Sequence, residues 1–121
     1  MNKKFPKNEK LKSSKAIEQL FSNGKNHFKY PVKVFYIPEP TAKKNKAAFA
    51  VPKRNFKLAV DRNRIKRKLR ESYRLNKYLI EEDTNPKYSL LFLYLGKVEI
   101  EYSQLSKTMV TLLKKLQKGG Y

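Results

Sequence analysis

The sequence contains no cysteine, no tryptophan and a single histidine, His27. Without cysteine there is no disulfide framework, thiolate metal cluster or cysteine nucleophile, which suits a reducing compartment. One histidine excludes a multi-histidine metal site, and no apolar run approaches the ~20 residues that span a bilayer. The first residues also lack the apolar core of a signal peptide. From these absences we expect a soluble, cytoplasmic protein.

Positive charge is what the chain has in excess. Its 121 residues include 29 Lys and Arg against 10 Asp and Glu, a formal net charge of +19. Residues 53–77 alone hold eleven basic residues against two acidic ones. This clustering favours a polyanionic partner, nucleic acid first, over lysines that only keep the surface soluble. An anionic membrane is the second candidate, but membrane-surface proteins favour one bulky apolar helix face, and here apolar residues are spread over strands and helices.

The length and the 40% apolar content predict one domain with one modest core. No internal repeat and no linker divides the chain. We expect three parts: a flexible basic arm at 1–12, a single domain at 13–118 and a C-terminal tail at 119–121.

Helical and β patterns alternate along the domain. Ser13 or Ser14 can cap a first helix, which Gly24 is expected to end in the left-handed conformation. Branched and aromatic residues predict strands at 32–37 and 47–51. A polar loop separates these two strands, which suggests an antiparallel hairpin.

A second helix is predicted at 60–77, with an apolar stripe on one side and basic residues elsewhere. The stripe consists of Ile65, Leu69, Ser72, Tyr73 and Asn76. Residues 88–95 are almost continuously apolar, which is typical of a central strand covered on both faces. Leucines at helical spacing between 105 and 116 predict a third helix. The order α-β-β-α-β-α indicates an α+β fold, a two-layer α/β sandwich in which helices pack on a small mixed sheet.

The outer side of the second helix carries the densest functional chemistry. Guanidinium groups match phosphate oxygens, and like charges on successive turns destabilise a helix unless an anion lies over them. Acidic partners are nearly absent nearby, so we expect this surface to bind phosphates. The alternative to phosphate binding is a charged helix face that contacts only solvent. The cations and amide that we assign to this surface are Arg62, Asn63, Arg64, Lys66, Arg67, Arg70 and Arg74.

Aromatic rings are the second functional element. They lie on or beside the first two strands and on the first helix: Phe21, Phe28, Tyr30, Phe35, Tyr36, Phe49 and Phe56. A ring beside a cation can stack on an unpaired base, worth ~1–3 kcal/mol per base. Core packing is the alternative for each ring. Alternation along the first strand places Phe35 and Tyr36 on opposite faces, and the sequence leaves open which face is the core.

Candidate catalytic groups are few. Glu81, Glu82 and Asp83 form a carboxylate cluster that could hold Mg²⁺, but it precedes a proline turn, so solvated charge is the better interpretation. Asp61 and Glu71 are expected to screen neighbouring arginines or favour the helix start. We therefore expect no catalytic residue and no bound metal ion on the protein.

A longer motif surrounds the second helix. It reads Val-Pro-Lys-Arg at 51–54 and Ala-Val-Asp-Arg-Asn-Arg-Ile-Lys-Arg-Lys-Leu-Arg-Glu-Ser-Tyr-Arg at 59–74. With Leu-Phe-Ser-Asn-Gly at 20–24 and an aromatic first strand, it resembles the signature of the bacterial ribonuclease P protein subunit, over residues 10–117. Relatives often carry an aromatic residue where this chain has Ile17, so Phe21 is the stacking candidate of the first helix.

The resemblance implies the protein subunit of an endoribonuclease whose catalytic RNA, using Mg²⁺, removes the 5′ leader from precursor tRNA, with one protein per RNA. It implies that the catalytic RNA faces Arg62, Asn63, Arg64, Lys66, Arg67 and Arg70. It implies that a cleft between the first helix and the sheet holds the single-stranded leader, lined by Phe21, by Phe35 or Tyr36, and by Lys53 or Arg54.

The resemblance also implies a left-handed crossover through the second helix, against the right-handed rule for parallel strands. Two other functions use similar features. A ribosomal or other structural RNA-binding protein needs the basic helix but no leader groove and no turnover. An autonomous metal-dependent nuclease would need the carboxylate cluster to act.

Overall fold

The structure is a computed structural model that describes residue 5, residues 7–81 and residues 86–118. The helices and strands within these ranges are α1 (Ser14–Asn23), β1 (Lys25–Lys29), β2 (Val32–Glu39), β3 (Lys46–Ala50), α2 (Ala59–Asn76), β4 (Lys87–Tyr94) and α3 (Tyr102–Gln117). Short 3₁₀ turns lie at Lys7–Glu9 and Lys77–Ile80. Among the described residues, none of the helices has the length and apolar character that crossing a bilayer requires.

The predicted α+β class is confirmed, with one strand added to the predicted order. The additional strand, β1, has the sequence Lys-Asn-His-Phe-Lys and is mostly exposed. It lies at the edge of the sheet, where a strand needs only one pairing partner and little apolar character. Its polar composition is the reason that the hydrophobic pattern does not reveal it.

The four strands form one sheet in the order β1-β2-β4-β3. β2 is antiparallel to both β1 and β4, whereas β3 is parallel to β4. The predicted hairpin of β2 with β3 is therefore wrong, because β4 lies between them. The almost wholly apolar β4 takes the interior position, as expected for it, where both of its faces are covered. α2 connects the parallel neighbours β3 and β4; the hand of this crossover stays a prediction.

The two faces of the sheet are covered unequally. α2 and α3 enclose the main core, in which the predicted stripe of α2 is buried at Ile65, Leu69, Ser72 and Tyr73. α1 packs against β2 and β4, and both Leu20 and Leu91 are fully or almost fully buried. Because α1 is only ten residues long, the strand positions beyond its reach on that face stay partly open.

The ends of α1 depend on two residues. The Ser13 hydroxyl accepts a hydrogen bond from the Ala16 backbone N–H at 3.2 Å, which confirms the predicted N-cap. Gly24, by contrast, has φ −72° and ψ 148°, so the predicted left-handed end is wrong. Glycine is needed there for space, because a Cβ would lie 2.5 Å from the Leu20 carbonyl oxygen.

The segment that precedes α1 is packed against the domain. The Leu11 N–H donates to the Ala47 carbonyl of β3 at 2.9 Å, and the carboxylate of Glu9 is buried against Lys77 at 2.7 Å. Residues 7–11 thus contact the domain, and the flexibility expected of the arm stays a prediction. The rest of that arm at 1–4 and 6, the tail at 119–121 and residues 82–85 lie outside the described residues.

Candidate nucleic-acid interface

The side of α2 that faces away from the sheet carries exposed cations. Arg67 and Arg70 are exposed one turn apart, and Asn63 is exposed one turn before Arg67. Within the described part of the chain, no carboxylate lies within ion-pair distance of Arg67, Arg70 or the half-buried Lys66. Both exposed guanidinium groups therefore have their donors available for phosphate oxygens. We call Asn63, Lys66, Arg67 and Arg70 the α2 outer face.

Arg64 has two acidic partners: Asp61, which was expected to screen a neighbouring arginine, and Glu99, which was not expected. Its Nε lies 2.9 Å from Glu99 Oε1 and its Nη2 lies 2.9 Å from Asp61 Oδ1. Lys68 Nζ also pairs with Glu99. Hydrogen bonding from Arg64 holds the pKa of Glu99 below its usual value, despite partial burial of the carboxylate. The charge of Arg64 is therefore largely compensated within the protein.

Arg62 and Arg74 also have internal partners. Arg62 Nη1 donates to the carbonyl oxygens of Phe56 at 2.7 Å and Lys57 at 2.8 Å. These bonds hold the loop that precedes α2. They lie at the N-terminus of the helix, where the N-cap residue Leu58 makes no side-chain hydrogen bond. Arg74 forms an ion pair with Glu71 one turn away, and this hydrogen bonding lowers the pKa of Glu71. Both arginines thus have a structural role in addition to any contact with RNA.

The loop between β3 and α2 presents two of the predicted ligands. Lys53 and Arg54 are both exposed. Arg54 lines an open pocket of about 670 Å³ together with Asn55, Leu95 and Lys97. Lys97 belongs to the loop after β4 and lies outside the basic motif, so the sequence pattern offered no signal for it.

Two of the predicted groove rings lie against each other on the α1 side of the sheet. The ring centroids of Phe21 on α1 and Phe35 on β2 are 5.1 Å apart, with the planes inclined by 57°. Phe21 is 50% exposed and Phe35 is half-buried. Lys33, two residues before Phe35 and therefore on the same face, places its Nζ 5.6 Å from the Phe35 centroid. Lys33 could have been assigned to this site from strand alternation alone.

Tyr36 does not line this groove, so that prediction is wrong. Its side chain is buried on the opposite face of β2, beside Val34 in the main core. The ring stacks on His27 at 5.0 Å and meets Tyr88 edge-on at 5.6 Å. The face of the sheet that α2 and α3 cover is therefore the core face. Phe35 lies on the opposite face, which leaves it as the candidate groove residue of β2. His27 lies on the edge strand β1.

A pocket of about 280 Å³ lies where the N-terminal segment, α1, β3 and α2 meet. Its walls include Leu11, Ile17, Ala48 and Phe49, with Arg70 at its border. Arg70 therefore belongs both to the α2 outer face and to this depression beside α1. The α2 outer face thus reaches the side of the domain on which Ile17 of α1 lies.

Carboxylates do not form a metal site in the described ranges, where no group of three or more His, Cys, Asp or Glu side chains is placed to hold an ion. Of the predicted cluster, Glu81 is half-buried, while Glu82 and Asp83 lie outside the described residues. The expectation that the protein binds no metal stays a prediction.

Fold and surface together define a small basic α+β protein suited to binding an anionic polymer. The protein-family model for ribonuclease P matches residues 5–117. The chain therefore belongs to the ribonuclease P protein family.

Individual relatives agree with this assignment. The ribonuclease P protein component of Porphyromonas gingivalis is 40% identical over 78 residues, which cover 63% of this chain and 57% of that protein's length. The component of Caldanaerobacter subterraneus subsp. tengcongensis is 33% identical over 107 residues, 88% of this chain and 87% of that protein. The RNase P protein of Staphylococcus aureus has a similar fold, with a TM-score of 0.75, 17% identity and coverage of 89% of this chain and 94% of that chain.

Proposed function

We propose that this chain is the protein subunit of ribonuclease P and acts beside a catalytic RNA in the endonucleolytic removal of the 5′ leader from precursor tRNA. The observation that carries the proposal is the α2 outer face, with Arg67 and Arg70 free of carboxylate partners among the described residues, next to an aromatic groove. Membership of the ribonuclease P family supports the same function.

In this proposal the α2 outer face binds the catalytic RNA. Two guanidinium forks and a lysine along one helix face can contact successive phosphates, and each contact releases condensed counterions. The same positive charge lowers the repulsion between the catalytic RNA and its RNA substrate where the two approach. The protein would thus tighten substrate binding and reduce the concentration of Mg²⁺ that the RNA requires.

The groove beside α1 is proposed to hold the single-stranded leader. Phe21 and Phe35 offer ring faces to unpaired bases, while Lys33 and the exposed pair Lys53 and Arg54 supply charge for the leader backbone. Stacking is tolerant of sequence because every base has a π-face. Such a groove suits a substrate class whose leaders differ in sequence.

The chemical step is assigned to the RNA and its Mg²⁺ in this proposal. The residues of the chain bind, orient and neutralise charge, and none of them exchanges a proton with the scissile phosphate. One protein per RNA and a cytoplasmic location complete the proposal.

Reconstitution tests this function. The purified chain is added to the ribonuclease P RNA of the same organism at low Mg²⁺. The labelled substrates are a precursor tRNA that carries a leader and the same tRNA without a leader, for which binding alone is measured. We expect the chain to raise kcat/KM for substrate with a leader, and Phe35→Ala to weaken the binding of that substrate alone by about fivefold.

Three results would contradict the proposal. They are cleavage by the purified chain without RNA, no effect of the chain on the RNA, and equal loss of binding by Phe35→Ala for substrates with and without a leader. Tyr78→Ala is the matched control, because Tyr78 is an exposed ring on the 3₁₀ turn Lys77–Ile80, outside the groove.

A further inference from the structure

Two more aromatic rings are exposed at the tip formed by β1 and β2. Phe28 is 48% exposed and Tyr30 is 61% exposed, and their centroids lie 6.5 Å apart in an edge-to-face arrangement. Neither residue is part of the main core or packed against it. Neighbouring exposed rings of this size are an apolar patch that points to a ligand.

The pair continues the groove formed by Phe21 and Phe35. In the β1–β2 ladder Phe28 is directly opposite Lys33, and Asn26 is opposite Phe35. Paired residues point to the same face, so Phe28 and Phe35 are diagonal neighbours ~7–8 Å apart on the α1 side of the sheet. Lys33 lies between them, with its Nζ over the Phe35 ring. The four rings therefore follow one another from α1 to the hairpin tip; we call this row of Phe21, Phe35, Phe28 and Tyr30 the aromatic track.

One cation lies within the track. Lys33 is half-buried in the row, whereas Lys29, which pairs with the core residue Val32, is exposed on the opposite face of the hairpin. On its other side Tyr30 borders an open pocket of about 380 Å³ that Gln104 and Lys107 also line. No ion pair of Lys29 or Lys33 with a carboxylate occurs among residues 5, 7–81 and 86–118. A row of rings with Lys33 inside it and Lys107 beside its end matches a single-stranded nucleic acid, which offers both bases and phosphates, more closely than a folded protein surface does.

We propose that Phe28 and Tyr30 extend the leader groove, so that the aromatic track binds a longer single-stranded RNA segment with one base on each ring, about four bases in all. This inference rests on the proposed function and deepens it, because it assigns two further rings of this chain to the leader. A leader that reaches only Phe21 and Phe35 uses half of the track. A longer leader also contacts Phe28 and Tyr30.

The test uses the reconstituted holoenzyme and precursor tRNAs whose unstructured leaders are about two or about eight nucleotides long. The variants are Phe28→Ala, Tyr30→Ala and the double change, with Tyr78→Ala as an exposed aromatic control outside the track. We expect each single change to weaken binding of the long-leader substrate about fivefold and to leave the short-leader substrate unchanged. Phe35→Ala should weaken binding of both substrates.

Conservative variants separate stacking from other causes. Tyr30→Phe retains the ring and should bind the long leader as the unaltered chain does, whereas Tyr30→Leu should behave as Tyr30→Ala. Circular dichroism and thermal unfolding establish that each variant is folded, and sedimentation at the assay concentration establishes its state of association.

Four outcomes would overturn the inference. If the double variant binds both substrates normally while Phe35→Ala does not, the groove ends at Phe35 and the proposed function stands. If Phe28→Ala and Tyr30→Ala weaken both substrates equally, the rings act on the fold and not on the added nucleotides. If they alter sedimentation alone, the rings join two copies of the chain. If the unaltered chain gives no gain with either leader, the proposed function fails together with the inference.

Discussion

Glu99 neutralises part of the positive charge on α2. It pairs with both Arg64 and Lys68, and hydrogen bonding from Arg64 holds its pKa below the usual value. Lys68 also donates to the Ile100 carbonyl at 3.2 Å, which ties α2 to the loop before α3. A carboxyl group whose pKa is lower in the folded than in the unfolded protein stabilises the fold above its unfolded-state pKa. That contribution is lost as the pH falls through the folded-state pKa.

The variant Glu99→Gln should therefore be less stable than the unaltered chain at neutral pH, and the difference should disappear on acidification. We expect a loss of a few tenths to about 1 kcal/mol at pH ~7, because the pair is only partly shielded from water. Below the usual carboxyl value of 4.5, the two proteins should converge as Glu99 is protonated. Urea unfolding of both proteins across this range is the measurement.

The control for this experiment is Glu18→Gln. Glu18 is exposed on α1, and no cation lies within ion-pair distance of it among the described residues. Its substitution should change stability little at any pH. A difference between Glu99→Gln and the unaltered chain that grows as the pH falls would show that the sign of the pKa shift is wrong.

At the scale of residues, the sequence predicts which side chains of a helix are buried or exposed better than it predicts their ion-pair partners. Helical periodicity correctly buries Ile65 and Leu69 and correctly leaves Arg67 and Arg70 outside. The pairing of Arg64 with Glu99 spans 35 residues and depends on where the loop after β4 lies. No local pattern carries that information. The pairs of Arg64 with Asp61 and of Arg74 with Glu71, each three residues apart, confirm the expectation that these two carboxylates screen neighbouring arginines.

At the scale of elements, a buried ion pair fastens the N-terminal segment to the end of α2. The carboxylate of Glu9 and the ammonium of Lys77 are 2.7 Å apart, and their side chains are 8% and 3% exposed. Lys44 lies 3.9 Å from Glu9, and Glu81 lies 4.0 Å from Lys77, at the margin of the pair. Removing one member leaves the other charge buried with weaker compensation, which is more costly than removing both.

We expect Glu9→Gln to destabilise the protein by about 3 kcal/mol, and the double change Glu9→Gln with Lys77→Met to recover much of that loss. Urea unfolding of the two single variants and the double variant forms a double-mutant cycle. Additive losses in the double variant would refute the coupling and mean that the N-terminal segment is held by Leu11 and Phe5 without this pair.

The order and pairing of the elements illustrate where local reasoning stops. All three helices were predicted, because helical spacing and the cap at Ser13 are local signals. The pairing of β2 with β3 was predicted from their closeness in sequence and was wrong. β4, which follows both in the chain, lies between them in the sheet. The almost continuously apolar sequence of β4 is what indicated its interior place.

At the scale of the whole molecule, the net charge of +19 includes the cations of the α2 outer face and those beside the aromatic track. The α2 outer face is helical and the aromatic track lies along the sheet, so each presents a different chemistry to RNA. A protein with both surfaces can contact the backbone of a folded RNA while it holds an unpaired strand. Composition alone predicted a nucleic-acid partner; the division into two surfaces required the fold.

The most direct test of the central claim is the salt dependence of binding to the ribonuclease P RNA. The affinities of the unaltered chain and of the double variant Arg67→Gln with Arg70→Gln are measured over a range of monovalent salt. Lys115→Gln serves as the control, because Lys115 is exposed on α3, away from both surfaces. If Arg67 and Arg70 contact phosphates, the affinity falls steeply with salt, and the log-log slope of the double variant is shallower by about 1.5. A slope that the double variant leaves unchanged, or an affinity indifferent to salt, would contradict the account.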